Sequence, residues 1–230
     1  MADSKLWEKA ATVYDSLNSF FPYQKLLLDI CRELKIKKGD LILDAGCGTG
    51  NLSLMMKNKG AAVIGIDNSS KMLEILKNKD AGIKTILTDL TGKLPFPENY
   101  FDKIVSNNVM YTISEGNQVP VFREFYRVLK PNGLVLLVDP NKGWKVINYI
   151  KNAIKENKKQ KFWFMFSNAL KAIVPLAKMG YYNYLIKNKR HYFYSTPEHK
   201  IELLKQAGFL KIIKSKLVYS GQNQLILAQK

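Results

Sequence analysis

The sequence predicts an α/β fold: a mostly parallel seven-stranded sheet with helices on both faces, closed by an antiparallel C-terminal hairpin. Three observations carry this. Short apolar runs alternate with helix-spaced segments as far as Asp139. Those runs lack the alternating polar pattern of a half-exposed sheet, which suits strands buried on both faces. The last two runs are joined by only a short Ser220-Gly221 turn, and so close a pair must be antiparallel because a parallel pair needs a crossover.

In order, the strand-like runs are Asp40–Ala45, Ala62–Asp67, Ile83–Thr88, Phe101–Asn107 and Gly133–Asp139, each bounded by Gly, Asp or Asn. Between them, Ser69–Lys79 and Val119–Lys130 have helical spacing. Ser69 or Ser70 serves as N-cap of the former. The latter ends in Lys130-Pro131-Asn132-Gly133, which reads as a helix stop and turn. Pro197–Gly208 reads as a further helix closed by Gly208, followed by strand-like Phe209–Tyr219 and Gln222–Gln229. The segment 140–195 carries no strand signal. It holds 12 Lys+Arg, one Glu and 12 aromatic residues.

A chain of 230 residues suits one α/β domain of ordinary globular composition. Two cysteines, Cys31 and Cys47, make neither a disulfide framework nor a metal-ligand pattern, so no metal is expected. The start of the chain has no basic stretch followed by an apolar run, and a cytoplasmic home is expected. The net charge of +17 is uneven: residues 1–140 hold 18 Lys+Arg against 16 Asp+Glu, and residues 141–230 hold 18 against 3. Charge so placed points to an anionic partner, lipid headgroups or nucleic acid, or simply to solubility.

The strongest local signal is LILDAGCGTGNLS, Leu41–Ser53. A strand ends at Asp44, and Gly46, Gly48 and Gly50 turn the chain into a helix. Glycine accepts positive φ and lets backbone approach a ligand closely. A dinucleotide fingerprint would read GxGxxG and hold a pyrophosphate at the helix N-terminus. Here the spacing is GxGxG with an acid two positions before it. Asp44 repels a pyrophosphate and favours a ligand bearing an amine, which points away from a nicotinamide dinucleotide.

These residues resemble the first motif of the class I S-adenosylmethionine-dependent methyltransferases, whose fold is Rossmann-like, and the resemblance continues in order over 40–140. It implies that Asp67, in GIDNSSKML with Asn68, hydrogen-bonds the two ribose hydroxyls of S-adenosylmethionine. Asp89, in TDLTGKLPF, would meet the adenine amino group, with Leu90 offering a backbone contact and Met72 packing on the ring. FDKIVSNNVMY would set Asn107 and Asn108 under the methionine end. RVLKPNGLVLLVDP resembles the family's LKPGG segment with Asn132 in place of a glycine. Each acid alone also fits a turn cap or a helix start; three at successive strand ends facing one crevice do not.

The segment Ala10–Asn18, AATVYDSLN, resembles the entry helix of methyltransferases acting on quinones and phospholipid amines, which implies that Tyr14 closes over the cofactor. The domain then divides into N-terminal capping helices over 1–38, a cofactor-binding core over 40–139, a basic aromatic helical lid over 140–195, and a helix with edge hairpin over 196–230. In-line methyl transfer is mainly a matter of positioning. If the acceptor must lose a proton, His191, Tyr14 and Tyr111 are the candidate catalytic residues, while His199 reads as a surface residue.

The stretch Phe162–Gly180 is apolar but broken by Lys171, Pro175 and Lys178, a poor spanning helix. It suits a lid, or a segment lying in an anionic membrane surface through 142–190. A small lipophilic or amphipathic acceptor, a quinone precursor or a phospholipid amine, is therefore expected. RNA is the second reading, since lysines bind phosphates and aromatics stack on bases. A non-catalytic binding protein is the third. No feature sets an oligomeric state.

Overall fold

The computed structural model describes residues 11, 21–143, 192–219 and 221–230. Its elements are α1 (Phe21–Glu33), β1 (Leu41–Ala45), α2 (Asn51–Asn58), β2 (Ala62–Asp67), α3 (Ser70–Lys79), β3 (Lys84–Leu87) and β4 (Phe101–Asn107). A 3-10 turn at Met110–Thr112 follows, then α4 (Glu115–Val128), β5 (Leu129–Pro140), α5 (Pro197–Gln206), β6 (Lys211–Val218) and β7 (Asn223–Gln229). The N-terminal capping helices up to residue 20, the lid over 144–191, and with them Tyr14 and His191, lie outside the described residues.

The strands form one seven-stranded sheet in the order β3-β2-β1-β4-β5-β7-β6. The pairs from β3 to β5 are parallel; β7 runs antiparallel between β5 and β6. The expected architecture is present. Chain order reverses direction between β1 and β4, and in open α/β sheets such a switch point opens a crevice at the carboxyl ends of the strands.

Apolar residues cover both faces of the sheet, which is why the strand runs show no alternation. On one face Leu26, Leu27 and Ile30 of α1 and Leu52 and Met56 of α2 pack on Ile42, Val63, Val105 and Leu136. On the other, Phe122 and Phe125 of α4 and Leu203 and Leu204 of α5 pack on Leu43, Ile104, Val135 and Ile226. Ser69 caps α3 by accepting from the Met72 N–H at 3.3 Å.

Two boundaries differ from expectation by more than two residues. The helix expected from Val119 begins at Glu115, because its first turn, Glu-Gly-Asn-Gln, is polar and the buried apolar spacing starts only at Val121, Phe122 and Phe125. The expected turn Lys130–Gly133 is a bulged opening of β5: Leu129 faces Phe101 and Leu134 faces Lys103, and Asn132 takes φ 64 inside the bulge. Asparagine tolerates that left-handed backbone better than most residues, so it replaces glycine there at little cost.

Candidate active site

The crevice is built from the ends of four neighbouring strands, β3, β2, β1 and β4. At the end of β1 the chain turns through Gly46 (φ 78), Gly48 (φ 53) and Gly50 (φ 80) into α2. The bend is pinned to β2, since the N–H groups of Gly46 and Cys47 both donate to the Ile66 carbonyl at 2.8 and 3.0 Å. From behind, Lys79 donates to the Thr49 carbonyl at 2.9 Å and to Asn51 Oδ1 at 2.8 Å.

Asp67 ends β2 directly under this bend. Its Oδ2 accepts the Gly48 N–H at 2.9 Å and its Oδ1 accepts the Ser69 N–H at 2.9 Å. Burial raises its pKa above the ordinary carboxylate value against these bonds. The carboxylate is thereby fixed in orientation, and each oxygen keeps a lone pair for another donor. Asp44, 2% exposed, accepts the Ser53 hydroxyl at 2.5 Å. Burial pushes its pKa to about 7, with the charge of Asp67 adding to the rise and Ser53 opposing it.

Further along, Asp89 Oδ1 accepts from the Thr91 backbone N–H and hydroxyl at 2.8 and 2.9 Å. Its Oδ2 is buried without a hydrogen-bond partner among the described residues, as is Oδ1 of Asn107 at the end of β4. Two buried acceptors left open at the rim of one crevice are matched by a ligand with N–H and O–H donors. Leu90 is buried in the core, and Met72 Sδ lies 4.0 Å from where a Cβ on Gly48 would stand, the nearest atom to an otherwise open cradle. A nucleoside with an exocyclic amine, two hydroxyls and an aliphatic amine fits this donor-poor, acceptor-rich set.

Asn108, paired with Asn107 in the sequence reading, is committed elsewhere. It takes φ 58, donates its N–H to the Val138 carbonyl at 2.6 Å, and accepts from Asn223 Nδ2 at 2.8 Å. Beyond it, the rings of Tyr111, Tyr192 and Tyr194 cluster in a triangle, with Tyr111 5.2 Å from Tyr192 and 5.7 Å from Tyr194 and these two 6.1 Å apart, and the Phe193 N–H donates to the Tyr111 carbonyl at 2.9 Å. This makes an aromatic wall beside the strand ends. His199, 40% exposed, pairs with Glu115 at 2.8 Å on the surface.

A protein-family model described as "Methyltransferase domain" matches residues 42–133. A demethylmenaquinone methyltransferase of Symbiobacterium thermophilum is 29% identical over 90% of this chain and 84% of its own. One from Listeria welshimeri is 31% identical over 62% of this chain and 66% of its own. By this domain match and these relatives, the chain is an S-adenosylmethionine-dependent methyltransferase. A TehB-like S-adenosylmethionine-dependent methyltransferase from Corynebacterium glutamicum shares the fold of this methyltransferase, with a TM-score of 0.65 and 16% identity over 99% of this chain and 100% of that one. S-adenosylmethionine is accordingly the cofactor of the methyltransferase.

The expected cofactor residues Asp44, Gly46, Gly48, Gly50, Asp67, Asn68, Met72, Asp89, Leu90 and Asn107 lie at or just beyond the carboxyl ends of β1, β2, β3 and β4. Of the catalytic candidates only Tyr111 is described, in the short turn that follows β4. The sequence reading missed Val109, whose γ-methyls cover Gly46, and the buried trio Gln118, Asp139 and Lys200 behind the wall. Among the described residues no group of three His, Cys, Asp or Glu side chains is placed to hold a metal, and no helix is long and apolar enough to cross a membrane.

Proposed function

We propose that the enzyme methylates a quinone precursor, a flat and lipophilic acceptor, held against the Tyr111–Tyr192–Tyr194 wall. The stack carries this reading. Flat aromatic faces bind a planar ring by offset stacking and bury it away from water. The two relatives named as demethylmenaquinone methyltransferases support the same class of acceptor.

In this reading Asp67 holds the ribose hydroxyls, Asp89 the adenine amino group, and Met72 and Leu90 flank the ring. Asp44, beside the glycine bend and the Asn107 amide, favours the amine end. The bound cofactor supplies an electrophilic methyl group on a sulfonium. The chain's contribution is to align an acceptor atom with it in the absence of competing water, and positioning of that kind is worth roughly 7–11 kcal/mol of barrier. Tyr14 closes the entrance, and a proton lost by the acceptor passes to the neutral imidazole of His191. The 12 Lys+Arg and 12 aromatic residues of 140–195 support a further reading, that this segment rests on an anionic membrane surface where a lipophilic quinone dissolves. The enzyme is then a cytoplasmic protein acting at the inner face.

The test is incubation with methyl-labelled S-adenosylmethionine and, in parallel, demethylmenaquinone in anionic vesicles, phosphatidylethanolamine vesicles, and total RNA. Label in the quinone supports the reading. Label in RNA alone, with binding that weakens steeply as salt rises, overturns it.

A further inference from the structure

Lys200 is buried where a lysine is rarely found. It lies in the first half of α5 and is 1% exposed, against Asp139 at 2% and Gln118 at 0%. Lysine is almost never fully buried unless paired. Its Nζ donates to Gln118 Oε1 at 2.8 Å and stands 3.4 Å from Asp139 Oδ2. Gln118 Nε2 in turn donates to the Met110 and Ile113 carbonyls at 3.0 and 3.1 Å. Asp139 Oδ1 accepts the Tyr111 N–H at 3.3 Å.

One buried trio therefore grips the short turn after β4 by two carbonyls and one amide. The side chains of that turn face the two halves of the crevice. Val109 lies on Gly46 of the cofactor bend, and Tyr111 is one of the three rings of the aromatic wall. Fold stability does not demand a charged pair here, because well-packed apolar side chains of similar volume commonly hold a core as well or better. What apolar packing lacks is direction, and directed bonds are what fix the backbone of a turn.

We propose that Lys200 and Asp139 are positioning residues for methyl transfer: the buried pair sets the wall that carries Tyr111 at a fixed distance from the cofactor bend. Lys200 holds the charge of Asp139 in place, and Asp139 holds the turn. Neither touches the reacting atoms. This assignment rests on the reading of Tyr111 as an acceptor wall.

The test uses full-length enzyme carrying 3-fluorotyrosine, with the Tyr111 resonance identified by its loss in Tyr111→Phe. The double variant Lys200→Met/Asp139→Asn removes both charges together and so avoids a lone buried carboxylate. We expect it to fold and bind S-adenosylmethionine near wild-type affinity by calorimetry, while the Tyr111 resonance moves or broadens. With demethylmenaquinone in vesicles, kcat/KM falls about tenfold or more, chiefly through a raised acceptor KM, as small misplacements of a substrate do. A folded double variant with an unmoved Tyr111 resonance and wild-type kcat/KM overturns the assignment. If the double variant does not fold, Asp139→Asn alone is read by the same resonance, and an unmoved signal is again fatal. If the wild-type enzyme ignores demethylmenaquinone, the acceptor reading falls by itself, and the resonance alone decides whether the pair positions the turn.

Discussion

Val109 closes over Gly46: a Cβ built on Gly46 would fall 2.4 Å from Val109 Cγ2 and 2.9 Å from Cγ1. The contact ties the loop after β4 to the bend after β1, the two segments that frame the crevice. Gly46 also has φ 78, where any side chain is strained. Gly46→Ala therefore carries two penalties, a left-handed backbone at about 1–2 kcal/mol and overpacking at about 1–3 kcal/mol. Gly48→Ala carries only the first, its nearest neighbour being Met72 Sδ at 4.0 Å. Thermal unfolding should place Gly46→Ala below Gly48→Ala. Adding Val109→Ala to Gly46→Ala should recover part of the loss, and a double-mutant cycle with no coupling would remove the contact from the account.

Asp67 is held by two backbone N–H groups, those of Gly48 and Ser69, and its remaining lone pairs face the crevice. Hydrogen bonds to a charged group are worth about 1.5–3 kcal/mol each. Asp67→Ala should weaken S-adenosylmethionine binding by about tenfold to a hundredfold in calorimetry, with a smaller loss of stability from the orphaned Gly48 N–H. Unchanged affinity would remove Asp67 from the cofactor site.

Asp44 supplies a pH dependence whose sign follows from its raised pKa. An unfolded aspartate titrates near 3.8 and the folded one at about 7, so the native state holds its proton longer. The stability this confers is fully present below about pH 4 and is lost as pH rises through about 7, up to about 4 kcal/mol in all. A cationic ligand beside Asp44 favours the ionised form. Binding of S-adenosylmethionine near pH 6.5 should therefore release a proton, seen as a buffer-dependent calorimetric enthalpy. Asp44→Asn should abolish its share of the release and flatten the stability profile between pH 4 and 7. Proton uptake on binding would contradict the assignment.

The sheet and the cofactor crevice were legible because their signals are local. Runs such as Ala62–Asp67 declare a strand by themselves, and Gly46, Gly48 and Gly50 declare a bend whose φ values only glycine takes easily. Asp67 and Asp89 follow their strands within a residue or two. The Lys200–Asp139–Gln118 trio was not legible, since its members sit on α5, β5 and α4 and each looks like an ordinary surface residue in its own segment. Gln118 was hidden twice, falling in the polar first turn of a helix whose apolar spacing begins only at Val121. Asn108 read as a cofactor residue beside Asn107, because nothing in the chain announces its bond to Asn223 across the sheet.

Tyr111 can serve the enzyme by its ring or by its hydroxyl, and the surroundings favour the ring. It is 8% exposed, with Tyr192 at 27° and Tyr194 at 19° to its plane. A phenol titrates near 10 in water, so proton abstraction at neutral pH is a poor use of a tyrosine hydroxyl. Tyr111→Phe keeps the stacking face and should retain most of kcat with a demethylmenaquinone acceptor. Tyr111→Ala removes a stacking partner worth about 0.5–1.5 kcal/mol beyond its buried area, and should raise the acceptor KM by about tenfold or more while leaving S-adenosylmethionine affinity nearly untouched. The pH profile separates the two roles: a hydroxyl acting as base would make Tyr111→Phe lose kcat together with the alkaline limb of the profile, whereas a stacking ring leaves the shape of the profile as it is in the wild type.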